Sequence, residues 1–318
     1  MAIETATPDT IARAAEALRA GGLVAFPTET VYGLGADATN VDAVARIYEM
    51  KGRPRFNPLI AHLPDMTAAE SHANFNEAAH KLANAFWPGP LTLVLPRRPE
   101  SDICDLVSAG LDTIAVRVPS GDIAHELLRH AGCPIAAPSA NRAGHVSPTT
   151  AQHVADDLGE GPALILDGGD TTEGLESSVV DASREEPLLL RPGAISRSHI
   201  EKILGVKLGV PDLSAQPASP GQLKSHYAPR TQIRLDAQDA IPGEALLAFG
   251  NAPIRTNGPV INLSSSGNLH EAATRFFAAL RELDARGCTT IAVMPIPDEG
   301  LGEAINDRLR RAAAPRNG

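Results

Sequence analysis

The chain has 318 residues and a formal charge of −10, with 28 Lys and Arg against 38 Asp and Glu. That balance argues against a broad nucleic-acid surface, which needs clustered positive charge. At 43% hydrophobic and 21% charged the composition is globular, and with 7 Phe, 3 Tyr and 1 Trp the core must rest mainly on Ala, Val, Leu and Ile, leaving little for stacking single-stranded bases.

In chain order, Thr7 as N-cap and Pro8 at the first helical position open a helix whose apolar face carries Ile11, Ala14, Ala15 and Leu18, with Gly21 as its stop. Residues 23–27 read as a buried strand. A second helix over 40–50 carries Val41, Val44, Ala45 and Tyr48 on one face. Strand patterns follow at 58–63, 91–95, 113–118, 134–137, 163–167, 178–181 and 188–190, with helical patterns near 76–86, 122–131, 149–158 and 196–204. Several strands succeed one another with no helix between them, which predicts a mixed α/β sheet. Strands near 232–236, 245–249, 259–263 and 289–294, with helices near 268–285 and 301–313, make a second and smaller α/β unit.

Residues 1–210 hold 17 Lys and Arg against 27 Asp and Glu, while 211–318 hold 11 of each. Between these halves, 210–222 has three prolines and almost no apolar content, as an extended linker does. The expected units are 1–209, a linker or lid over 210–230, and 231–318. Cys104, Cys133 and Cys288 stand far apart with no C-x-x-C pair, which disfavours a disulfide framework or a zinc site and reads as three small buried residues. No apolar run nears the ~20 residues of a bilayer span and no secretory leader is visible, so a cytoplasmic protein without membrane contact is expected.

Neither a P-loop nor a G-x-G-x-x-G turn is present. Positive charge is instead concentrated in Lys51-Gly-Arg-Pro-Arg-Phe-Asn-Pro58, between a helix and a strand. Lys offers a mobile point charge, Arg a fork that matches phosphate oxygens, and the prolines stiffen the loop. A solvated basic turn at a helix C-terminus is the alternative. Thr28, Glu29 and Thr30 follow a strand in Phe26-Pro-Thr-Glu-Thr-Val-Tyr-Gly-Leu-Gly35, a place where open sheets bind ligands; a helix cap and tight turn is the competing account. Small residues surround Ser139 and Asn141 in the stretch 136–144, so a ligand can approach the backbone there. No G-x-S-x-G elbow supports acyl-enzyme chemistry at Ser139. Glu176-Ser-Ser178, Arg191-Pro-Gly193 and His226-Tyr-Ala-Pro229 also sit at element ends.

Together with Trp87-Pro-Gly-Pro-Leu-Thr92, Ala115-Val-Arg-Val-Pro119, Ser147-Pro-Thr149 and Lys224-Ser-His-Tyr-Ala-Pro229, these motifs resemble, nearly end to end, those of the threonylcarbamoyl-AMP synthases in their two-domain form. The resemblance implies a YrdC-like domain, folded as a twisted, open mixed α/β sheet with helices, followed by a smaller Rossmann-like Sua5 domain. It implies condensation of L-threonine, bicarbonate or CO2, and ATP into L-threonylcarbamoyl-adenylate and pyrophosphate, with Mg²⁺ accompanying ATP. A separate transferase complex would then deliver the threonylcarbamoyl group to adenosine 37 of tRNAs reading codons that begin with A, so that tRNA itself is met only indirectly or weakly.

By the same resemblance, Thr30, His62, Arg117, Ala137 and Ser177 match the threonine site, with Ala137 acting through its backbone. Arg53, Asn57, Thr113, Ser139, Asn141, Ser147, Arg191 and Tyr227 match the ATP site, and Lys51 and Arg53 are the expected catalytic cations. No carboxylate pair presents itself as a protein metal site. Glu29 is a candidate orienting residue. Two other readings stay open on the residues alone: an RNA-binding module of the same fold, and an enzyme handling carbamoyl-adenylate, whose relatives carry zinc-finger and acylphosphatase-like regions of which this chain has no trace.

Overall fold

The computed structural model describes residues 3–211, 219, 221, 225–251 and 256–315, and within them the alternation of the sequence resolves into two sheets. The strands are β1 (Ile3–Thr5), β2 (Val24–Pro27), β3 (Tyr32–Asp37), β4 (Ile60–His62), β5 (Leu91–Pro96), β6 (Thr113–Arg117) and β7 (Ile135–Ala136). They continue as β8 (Leu164–Asp167), β9 (Ser178–Asp181), β10 (Leu188–Arg191), β11 (Gln232–Arg234), β12 (Glu244–Ala248), β13 (Val260–Asn262) and β14 (Thr290–Val293). The helices are α1 (Pro8–Arg19), α2 (Val41–Lys51), α3 (Met66–His72), α4 (Glu77–Phe86) and α5 (Asp105–Ser108). After them come α6 (Asp122–Ala131), α7 (Ala151–Leu158), α8 (Arg197–Leu204), α9 (Leu269–Asp284) and α10 (Gly302–Ala313).

The large sheet has the order β1-β8-β2-β3-β7-β4-β6-β5-β9-β10 and mixes parallel with antiparallel pairs, as the helix-free connections require. The small sheet, β11-β14-β12-β13, is wholly parallel. In the large sheet β4 and β6 run parallel with His62 opposite Arg117, and β7 lies antiparallel on the other side of β4. The ends of β4, β6 and β10 and the segments entering or leaving β3, β7 and β9 therefore converge on one side of the sheet, where the cavity lies.

Thr7 caps α1 through a reciprocal bond with Thr10, confirming the expected start. Three readings need correction. Residues 32–37 form a full strand, β3, paired with β2, rather than a cap and turn. Two glycines had hidden its alternation, and Gly35 is required there: a Cβ would meet Phe26 and Ile135 side-chain carbons at 2.8 Å. On α2 the buried stripe is Ala43, Val44, Ile47, Tyr48 and Lys51, and Val41 faces solvent at 54% exposure. The stripe thus runs one step out of the expected register and ends on a lysine. The three cysteines are free but half-buried, not fully inside.

One core fills the face carrying Leu34, Leu93 and Val116, and a second joins Phe26 to Ile11, Leu18 and Leu127. α8 packs by Ile200 into the first of these and by His199 against Phe86 of α4. A third core, built on Phe276, Phe277, Leu280 and Ile305, takes in Val31, Val146, Leu175 and Tyr227, so it spans both units. Arg281 of α9 pairs with Asp157 of α7 at 2.7 Å, and Arg197 of α8 with Glu303 of α10 at 2.7 Å. Among the described residues, no helix is long and apolar enough to cross a membrane.

Candidate active site

The turn after β2 is built by Thr28, whose hydroxyl donates to the Val31 carbonyl and meets the Thr30 hydroxyl, each at 2.7 Å. It swings the chain back into β3 and leaves Thr30 fully buried at the cavity wall. Arg117, at the end of β6, donates to Thr30 Oγ1 at 3.0 Å and to the Gly89 carbonyl at 3.3 Å. Its Nη2 lies 2.7 Å from Glu29 Oε1, an ion pair rather than an aligned hydrogen bond, because neither Glu29 oxygen has a hydrogen-bond partner.

His62 stands beside Arg117 in register. Burial, reinforced by the Arg117 charge, pushes its pKa down to about 3, so the ring is neutral. Its Nδ1 lies 3.2 Å from the Ile60 carbonyl, and the Ile135 backbone also meets the ring. The Ala137 amide is spent on Ile60, so its carbonyl is the backbone group left to a ligand. Ser177, before β9, meets the Thr92 hydroxyl at 2.7 Å. A guanidinium, a neutral imidazole and hydroxyls in one buried wall suit a small zwitterion carrying its own hydroxyl.

The other half of the wall is cationic. Arg53 donates to the Asn57 and Pro58 carbonyls at 3.1 and 2.8 Å, which folds the loop into a hook. Burial lowers its pKa to about 10, still well above neutrality. Arg191, at the end of β10, donates Nη2 to Ser177 O at 2.9 Å and to Ser177 Oγ at 3.1 Å, tying the two halves together. Tyr227 lies almost wholly buried, with φ of 62°, stacked on Phe277 at 5.8 Å. The chain passes so close at Gly221 that a Cβ there would fall 2.6 Å from the Tyr227 hydroxyl and 2.8 Å from Arg191 Cδ.

Thr30, Arg53, His62, Arg117, Ala137, Ser139, Ser177, Arg191 and Tyr227 line one cavity. Lys51, Asn57, Asn141 and Ser147 are buried behind that lining. Lys51 bonds the Ser139 and Asn141 carbonyls, and Ser147 donates to Glu176 at 2.5 Å. Thr113 is not brought to the cavity: it heads β6, four residues and about 13 Å from Arg117 on the same strand face. Most of the linker, including 212–218, 220 and Lys224, lies outside the described residues.

Sequence reading assigned no role to Glu176 or His226, which also line the cavity. It missed Arg308 of α10, which bonds Glu176 from behind. The signal was present: Ile305, Arg308, Leu309 and Ala312 share helical spacing, so an arginine occupies a core position.

A family model described as telomere recombination, covering Sua5, YciO and YrdC proteins, matches residues 16–193, and the model of the threonylcarbamoyl-AMP synthase C-terminal domain matches 195–314. The threonylcarbamoyl-AMP synthase of Bacillus subtilis is 41% identical over 96% of this chain and 93% of its own length. That of Pyrococcus abyssi is 40% identical over 95% and 94%. The crystal structure of P. abyssi Sua5 complexed with L-threonine superposes with a TM-score of 0.88 at 38% identity, covering 98% of this chain and 96% of that one.

Proposed function

The chain belongs to the threonylcarbamoyl-AMP synthase family, and we propose that its cavity seats L-threonine on the Arg117 side and ATP on the Arg53 and Arg191 side. It is an enzyme that forms threonylcarbamoyl-adenylate, the activated precursor of threonylcarbamoyladenosine in tRNA. Threonine would rest its carboxylate on Arg117 and its polar groups on Thr30, His62, the Ala137 carbonyl and Ser177. The nucleotide would lie on Arg53, Ser139, Arg191 and Tyr227, backed by Lys51, Asn57, Asn141 and Ser147, with Thr113 beyond the cavity described above.

The threonine amine, once deprotonated, takes up CO2 to form a carbamate. A carbamate oxygen then attacks the α-phosphorus of ATP, and pyrophosphate leaves. Such a transfer is assisted by alignment and by cations facing the charge that develops, which Arg53 would supply from the lining, with Lys51 acting from behind it; no covalent nucleophile is needed. Glu176, the carboxylate of the cavity lining, is engaged by Ser147 and Arg308. Mg²⁺ accompanying ATP would be held largely by the phosphate oxygens of ATP and by water. Tyr227 and the chain at Gly221 would cover the cavity and keep water from a labile mixed anhydride. The product would then pass to a separate transferase complex in the cytoplasm, tRNA being met indirectly.

The observation that supports this reading most is the pairing of His62 with Arg117 in adjacent strands, next to two buried arginines facing the same space. Incubation with ATP, L-threonine and bicarbonate, followed by mass analysis, should yield threonylcarbamoyl-adenylate and one pyrophosphate per adenylate. Salt-sensitive RNA retention with no ATP turnover would replace this reading with an RNA-binding one.

A further inference from the structure

We propose that Arg308, carried by α10 of the C-terminal unit, is a positioning residue for the nucleotide half of the cavity, acting through Glu176 on Ser147 and through the face of Tyr227. The proposal rests on the adenylate-forming reading above.

Arg308 is completely buried, in a helix position whose neighbours Ile305, Leu309 and Ala312 pack into the core. A guanidinium is held there only against a large desolvation cost, so its partners define its role. Nε donates to Glu176 Oε2 at 3.1 Å, and Nη1 donates to the Pro192 carbonyl at 2.7 Å and to Asp307 at 2.9 Å. The guanidinium carbon sits 5.1 Å from the centre of the Tyr227 ring. Asp307 belongs to the same helix; of the other partners, Tyr227 is a nucleotide-side residue, Pro192 follows Arg191, and Glu176 accepts from Ser147, Arg191 and Ser147 both also being on that side. The same helix also accepts the His226 amide on the Arg311 carbonyl at 3.3 Å. One side chain of the second unit therefore touches three separate supports of the site.

Glu176 is the hub. Its Oε2 takes Arg308 and its Oε1 takes the Ser147 hydroxyl. Because a carboxylate only accepts, the Ser147 hydrogen is committed to it. Ser147 stands behind the lining, so it braces Glu176, whose carboxylate lines the cavity together with Arg191 and Tyr227. Arg308 holds Glu176 in place. Without it, Glu176 swings, and the Ser147 hydrogen is released.

The test compares full-length wild type, Arg308→Met, Arg308→Lys, Ser147→Ala and the double variant Arg308→Met/Ser147→Ala, using steady-state KM for ATP and for threonine. Arg308→Met should raise KM for ATP about tenfold while KM for threonine stays within about twofold, and Arg308→Lys should recover part of the loss. In the Ser147→Ala background, Arg308→Met should add less than about twofold, because the relay is already broken. Equal shifts in both KM values, or effects of Arg308→Met and Ser147→Ala that simply multiply, would overturn the proposal. Should the Met variant lose its fold, Arg308→Lys carries the same comparison, alone and with Ser147→Ala. A wild type forming no adenylate would overturn the underlying reading and this one together, an outcome visible before any variant is made.

Discussion

Lys51 donates its ammonium to the main-chain carbonyls of Ser139, at 2.6 Å, and Asn141, and so joins two motifs nearly a hundred residues apart in sequence. It is fastened to the wall of the cavity, behind its lining, and burial with Arg53 nearby pushes its pKa well below the ordinary lysine value. Replacing Lys51 with Met removes the donor and strands two buried carbonyls, each costing about 1–3 kcal/mol. The denaturation midpoint should fall accordingly and KM for ATP should rise. Lys51→Arg should not rescue, since a planar fork cannot reach both carbonyls as a compact ammonium does. A Met variant with wild-type midpoint and KM would detach this lysine from the site.

Arg53→Ala should reduce pyrophosphate release by about 100-fold, the usual effect of removing one charge-stabilising donor. Threonine binding, followed by calorimetry, should be unchanged, because Arg53 touches the cation loop and not the Arg117 side. Wild-type turnover would remove the loop from the mechanism.

Arg117 is positioned by Thr30 and Glu29. Arg117→Lys keeps the charge and loses the fork, so KM for threonine should rise at least about tenfold with KM for ATP little changed. Glu29→Gln breaks a buried pair and should destabilise the fold by about 3–5 kcal/mol, read by urea unfolding. If Glu29→Gln unfolds at the wild-type midpoint, the pair contributes nothing to holding Arg117.

His62 gives stability a defined pH dependence. Its folded pKa of about 3 lies below the 6.5 of an unfolded chain, so between those values the unfolded state binds the extra proton. Stability is fully present above 6.5 and is lost as pH falls toward 3, at up to about 1.4 kcal/mol per unit. His153, lowered to about 4 mainly by burial, acts in the same direction. Urea midpoints at pH 7.5 and 5 should therefore diverge less in His62→Asn than in wild type. Equal divergence would mean that His62 is protonated in the folded protein.

Tyr227 holds a left-handed backbone and packs between Phe277 and Arg308. Tyr227→Ala keeps the backbone strain and discards the packing, so free AMP should accumulate at the expense of threonylcarbamoyl-adenylate as water reaches the anhydride. Chromatography of the nucleotides over time reads this directly, and an unchanged ratio would rule out a covering role.

The sequence alone determined the α/β class, the mixed character of the first sheet and most element positions, because caps, periodicity and turn chemistry act over a few residues; most of the site residues came from their resemblance to the family's motifs. Even Lys51 and Arg53 were legible, as cations gathered in an acidic unit. Tertiary structure alone decided how these pieces meet. Gly33 and Gly35 erased the alternation of β3, and only the approach of Phe26 and Ile135 shows why glycine stands there. Thr113 shares strand β6 with Arg117 but lies a strand's length from the cavity. Arg308 could be noticed as a charge on an apolar stripe, yet its partners Glu176 and Tyr227 stand far from it in sequence. The stability of a buried charge depends on the atoms brought around it by folding, and no local pattern encodes those.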